Sequence, residues 1–136
     1  MKLSVSERLL ALSRVAPFSS LRPDELMTIA SATHARQFAP GSLLCPKQGI
    51  IQRLYIRIEG CAVDEAGTPM QPVVGTTILL TGRPAPFAIH AGPEGMLALV
   101  LPRSKFFTVI HECPALLVGF FRMPLLGVDY LGTRKS

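Results

Sequence analysis

Between Ala35 and Pro102 a proline or glycine interrupts the chain every few residues. Helix interiors do not tolerate such punctuation, whereas short strands joined by turns accommodate it. Pro40-Gly41, Ala66-Gly67-Thr68-Pro69 and Gly92-Pro93-Glu94-Gly95 read as turns. In Arg53-Leu54-Tyr55-Ile56-Arg57-Ile58-Glu59, the residues Leu54, Ile56 and Ile58 share one face, the alternation of a half-buried strand. Gly60 is expected to end that strand and residues 61–64 to return as its partner. Leu43-Leu44-Cys45, Val73-Val74, residues 87–90 and the apolar run 96–101 supply further strands. Many short strands at regular spacing point to a rolled or closed β architecture.

Both flanks read as helical. Residues 4–15 carry a capping box in Ser4 and Glu7, with Leu9, Leu10, Leu12 and Val15 as an apolar stripe ended by Pro17. Arg22-Pro23-Asp24-Glu25 opens a second helix, with proline suited to the first turn and acids complementing the helix dipole. Leu26, Ile29 and Ala30 form its buried face, which fades at the polar Thr33. A third helix is expected over residues 104–113, interrupted by Pro114 and resumed through Leu116-Leu117-Val118. The tail from Pro124 to Ser136 is expected to be loosely structured. The fold class that follows is mainly β: a double-stranded β-helix, jelly-roll-like, with N-terminal and C-terminal helices. A single domain spans 1–136, divided as 1–34 helices, 35–102 β-roll and 103–136 C-terminal helix and tail.

Apolar residues make up 49 % of the 136 and charged residues 17 %, a balance that argues against disorder. No apolar run approaches the roughly 20 residues of a membrane span. Lys2, Glu7 and Arg8 leave no apolar signal-peptide core, so the expected compartment is the cytoplasm. The net charge is +5, but the basic residues are scattered. About fifteen residues follow Phe121, too few for a helix-turn-helix, so this chain alone is not expected to bind DNA. Cys45, Cys61 and Cys113 form no CxxC pair and read as buried, inert thiols. His34, His90 and His111 are widely spaced, so no metal site is expected. No P-loop, nucleophile elbow or acid–base pair appears, which leaves no enzyme motif, no catalytic residue and no implied cofactor.

The order helix, β-roll, helix resembles the cyclic-nucleotide-binding domain of the catabolite activator protein family and of regulatory kinase subunits. The strings that carry the resemblance are Pro17-Phe18-Ser19-Ser20-Leu21 with Asp24-Glu25-Leu26, then Phe38-Ala39-Pro40-Gly41, then Gly49 and Leu54-Tyr55-Ile56 with Glu59-Gly60. Residues 99–102 followed by Ser104-Lys105-Phe106 complete it, so that it covers about residues 9–121. The resemblance implies a phosphate-binding cassette of the form Phe-Gly-Glu-x-Ala-Leu, followed after a few residues by Pro-Arg-Ala-Ala-Thr. There, backbone N–H groups at a helix start face the phosphate, the arginine neutralises it and the glutamate accepts from the ribose.

The matching stretch here is residues 74–88. Gly75 is kept, but Thr76 stands at the glutamate position and Ala85 at the arginine position. Pro86 and Phe87 replace two small residues, and Ala88 replaces the threonine. The segment 67–74 is also shorter than the family's. The candidate ligand-binding residues are therefore Gly75, Thr76, Thr77, Arg83, Ala85 and Phe87. Three readings remain open: a regulatory domain sensing a small molecule other than a standard cyclic nucleotide, an interaction module whose pocket Phe87 fills, and a cyclic-nucleotide binder using Arg83 as the anion partner. Leu116, Leu117, Phe120 and Phe121 exceed what one amphipathic face needs, and are read as an interface for a protein partner or a homodimer.

Overall fold

The structure, a computed structural model, describes residues 2–122, and of Thr77, Phe121 and Arg122 the backbone alone. The expected tail from Pro124 lies outside the described residues. Two N-terminal helices, α1 (Val5–Leu12) and α2 (Pro23–Ala32), precede strands β1 (His34–Phe38), β2 (Leu43–Cys45), β3 (Arg53–Val63) and β4 (Val73–Val74). A short helix α3 (Thr76–Thr81) leads to the long strand β5 (Ile89–Pro102), then to α4 (Arg103–Glu112) and α5 (Pro114–Arg122). This is the expected β-sheet core flanked by N- and C-terminal helices.

The α1 capping box forms as expected: the Ser4 N–H donates to Glu7 Oε1 at 2.8 Å, and the Glu7 N–H donates to Ser4 Oγ at 3.1 Å. The helix stops at Leu12, earlier than the apolar stripe suggested. The polar Thr33, where the α2 stripe fades, is a buried cap, its hydroxyl donating to the Ala30 carbonyl at 2.9 Å. Arg8 Nε donates to the same carbonyl at 3.0 Å, tying α1 to the end of α2.

The sheet runs β1-β5-β3-β4, all antiparallel, with β2 pairing a different part of β5. Two turn assignments from the sequence need correction. Gly60 does not end β3, and residues 61–64 are not its partner. β3 continues through Gly60 to Val63 and pairs with β5 along its whole length. Likewise Gly92-Pro93-Glu94-Gly95 is a bend carried inside β5, not a turn between strands. The physical reason is a close crossing of main chains. A Cβ on Gly60 (φ 72°) would lie 2.2 Å from the Gly95 carbonyl oxygen, and one on Gly95 (φ 79°) would lie 2.7 Å from that of Phe38. Glycine at both places lets two long strands bend together without breaking.

The core runs from the inner sheet face into the C-terminal helices. Phe18, Leu54, Ile56, Leu99, Phe106 and Leu116 are among its fully buried members. Phe120 packs edge-on against Phe18 (5.9 Å between centroids, 86° between planes) and lies 6.2 Å from Phe106. Gly119 makes room for this return, since a Cβ there would lie 2.7 Å from Pro17 Cβ. At the other end, Asp64 Oδ1 accepts from the Ala66 and Thr68 N–H groups at 2.9 and 3.0 Å, which builds the expected 66–69 turn.

Candidate functional site

The stretch 74–88 begins at Gly75, which caps α3 in the left-handed conformation (φ 107°). A Cβ there would sit 3.0 Å from Ile51 Cδ1 and 3.1 Å from the Arg53 carbonyl, so glycine is required by space as well as by φ. The helix is one and a half turns long and buries Ile78 and Leu79 against the core. Gly82 (φ 71°) closes it, its N–H donating to the Ile78 carbonyl at 2.8 Å. Thr76, where the resemblance implies an acid, is half-buried. The side chain of Thr77 lies outside the described residues.

Arg83 is exposed on the turn that follows, and its N–H donates to Thr81 Oγ1 at 3.2 Å. It is the only charged residue between Gly75 and Ala88. Ala85, at the arginine position, is 0 % exposed. Its N–H donates to the Gly49 carbonyl at 2.7 Å, and its carbonyl accepts from the Gln48 N–H at 2.8 Å. This reciprocal pair locks residue 85 to the turn 46–49, in which Gln48 has φ 68°, unusual for a non-glycine residue. Phe87 is half-buried and packs against the core cluster, with Pro86 and Ala88 half-buried beside it. The stretch therefore offers no buried cation for a phosphate and no carboxylate for a ribose.

Gly75 and Thr76 open α3, Ala85 and Phe87 follow the turn that closes it, and Arg83 is exposed on that turn. Sequence reasoning missed the part played by Gln48 and Gly49. Gly49 stood out in the sequence only through the resemblance, and nothing around it signalled a partner 36 residues away.

The expected interface on α5 needs correction at two of its four residues. Leu116 is 0 % and Phe120 7 % exposed, both inside the chain's own core, because α5 folds back onto the Phe18–Ser20 turn. Leu117 is half-buried, Val118 is exposed, and the side chain of Phe121 lies outside the described residues. Cys45 and Cys113 are buried free thiols, and burial raises the pKa of each above the ordinary thiol value. Cys61 is half-buried and also free. Among the described residues no group of three His, Cys, Asp or Glu side chains could hold a metal ion, and no helix is long and apolar enough to cross a membrane.

No protein-family profile and no curated protein matches the chain in sequence. Solved structures do share its fold. The regulatory subunit of a cAMP-independent protein kinase A from Trypanosoma brucei is similar with a TM-score of 0.72 at 19 % identity, over 95 % of this chain and 49 % of that one. The regulatory domain of Toxoplasma gondii protein kinase A, solved with cAMP, is similar with a TM-score of 0.69 at 21 % identity, over 84 % of this chain and 48 % of that one. A cAMP-binding acyltransferase from Mycobacterium smegmatis gives a TM-score of 0.59 at 22 % identity, over 79 % of this chain and 36 % of that one. The chain has the cyclic-nucleotide-binding-like fold seen in protein kinase A regulatory domains. It spans about half the length of the two kinase regulatory chains.

Proposed function

We propose that the chain is a regulatory domain of the cyclic-nucleotide-binding type that does not hold a cyclic phosphate in the usual way and senses a different small molecule. The observation that carries this is Ala85. A fully buried methyl group, locked by its main chain to Gln48 and Gly49, stands where the resemblance calls for a phosphate-neutralising arginine. A phosphate there would be desolvated without a cation, at a cost of several kcal/mol. The similar fold of the T. brucei subunit, named as part of a cAMP-independent kinase, fits this reading.

Titration calorimetry with cAMP tests it. The expected result is no dissociation constant below about 100 μM, equivalent to roughly −5.5 kcal/mol. A submicromolar constant would overturn the proposal and favour Arg83 as the anion partner. Phe87 favours a second reading. Its packing against the core suits a domain whose pocket is filled and whose partner is a protein. A panel of nucleotides and metabolites separates the two readings, because a ligand-dependent rise in melting temperature belongs only to the sensor.

A further inference from the structure

A cleft of about 450 Å³ lies between the end of α1 and the β3–β4 edge, and shares no residue with the stretch 74–88. Ala11, Arg14, Val15 and Ala16 line one wall, Arg57 and Ile58 the second, and Gln71 and Pro72 the third. Neighbouring strand residues normally point to opposite faces. Here Arg57 and Ile58 both line the cleft, and β3 carries a bulge at Ile58, between Arg57 opposite Ala98 and Glu59 opposite Leu97. Bulges of this kind re-aim side chains and recur beside functional sites. The Arg57 N–H also donates to the Pro72 carbonyl at 2.8 Å, so one residue both lines the second wall and fixes the third.

The lining holds two cations, one neutral amide, five apolar residues and no acid. Among the described residues the ion pairs join Arg22 to Asp24 and Glu25, and neither Arg14 nor Arg57 takes part in one. Small-molecule sites are clefts of roughly 300–1,000 Å³ with mostly apolar walls and a few convergent polar groups. We propose that this cleft binds a small organic anion. Arg14 and Arg57 hold its carboxylate, sulfonate or phosphate group, and Val15, Ile58 and Pro72 cover its apolar body. This site is independent of the stretch 74–88.

The test uses the full chain and the amphipathic anion 8-anilinonaphthalene-1-sulfonate, read by fluorescence, with uncharged N-phenyl-1-naphthylamine as the control probe. The anion is expected to bind saturably at one site. Arg14→Gln and Arg57→Gln are each expected to weaken it by about tenfold, the worth of a charge-assisted hydrogen bond. Arg83→Gln is expected to leave it unchanged, and the neutral probe is expected to bind more weakly and ignore all three substitutions. Arg14 lies on an exposed turn, so Arg14→Gln decides the matter even if Arg57→Gln fails to fold. Anion binding untouched by Arg14→Gln, lost instead in Arg83→Gln, or matched by the neutral probe would overturn the proposal.

Discussion

Ala85 donates its main-chain N–H to the Gly49 carbonyl at 2.7 Å, across a gap of 36 residues in the sequence. With the Gln48 N–H returned to the Ala85 carbonyl at 2.8 Å, the stretch 74–88 is stitched to the turn before β3. Both polar groups of residue 85 are thereby satisfied inside the protein.

Restoring an arginine at this point is expected to fail. Ala85→Arg forces a long cation into a place with 0 % exposure. The expected loss is about 3 kcal/mol of stability, from overpacking and charge burial together. Urea melts measure that loss, and calorimetry is expected to show no gain in cAMP affinity. A stable variant that binds cAMP below micromolar would mean that the site is intact and lacks only its cation.

Phe87 is half-buried, so truncation is expected to cost less than the roughly 3–5 kcal/mol of a fully buried phenylalanine. Phe87→Ala is expected to lower stability by about 2 kcal/mol. If a metabolite raises the melting temperature of the wild type, the variant is expected to lose that rise when Phe87 contacts the ligand. Differential scanning fluorimetry on both proteins reads the two effects together.

Phe120 belongs to the chain's own core, between Phe18 and Phe106. Phe120→Ser is therefore expected to cost about 3–5 kcal/mol in a denaturant melt. Its sedimentation coefficient is expected to match that of the wild type under native conditions. A variant of unchanged stability that dissociates from a dimer to a monomer would return Phe120 to the interface.

Stability is expected to fall at alkaline pH. Burial raises the pKa of the Cys45 and Cys113 thiols above the ordinary 9.0, and that of the Tyr55 phenol above 10.0. The unfolded chain gives up these protons at lower pH than the folded one. The stability linked to them is complete below the unfolded values and drains away as the pH rises through the folded ones. Urea midpoints at pH 8 and pH 10.5 check this, and Cys45→Ala with Cys113→Ala is expected to flatten part of the decline. At neutral pH an alkylating reagent is expected to label the half-buried Cys61 ahead of the other two.

Local chemistry made the helices and most strand positions legible. Ser4 with Glu7, Pro23 ahead of two acids, and the alternation at Leu54, Ile56 and Ile58 each acted where they stood. Gly60 and Gly95 misled because a glycine that breaks a strand and one that permits a close crossing look alike in sequence. Only the 2.2 Å that a Cβ would leave to the Gly95 carbonyl separates the two cases. Gly67, with φ 83° and nothing within 4 Å of its would-be Cβ, is the plain turn glycine by contrast. The covering of Leu116 and Phe120 was illegible for a related reason. It depends on α5 returning to Pro17 and Phe18, about a hundred residues earlier. At the candidate site, the order of residues around Gly75 was readable, but the lock between Ala85 and Gly49 was not, since main-chain bonds leave no mark on residue type.

β5 pairs with β1, β2 and β3, while β3 alone borders β4. During synthesis β5 emerges as the last of the five strands. Helices α1 and α2 can associate early, but β1 and the edge of β3 away from β4 wait bare until Pro102 has cleared the ribosome. The sheet then forms in a late step dominated by distant contacts, which sets a slow rate for a domain this small. A translational pause or truncation before Ile89 leaves β1 and β2 without a partner and β3 paired with β4 alone, a form suited to chaperone capture or aggregation.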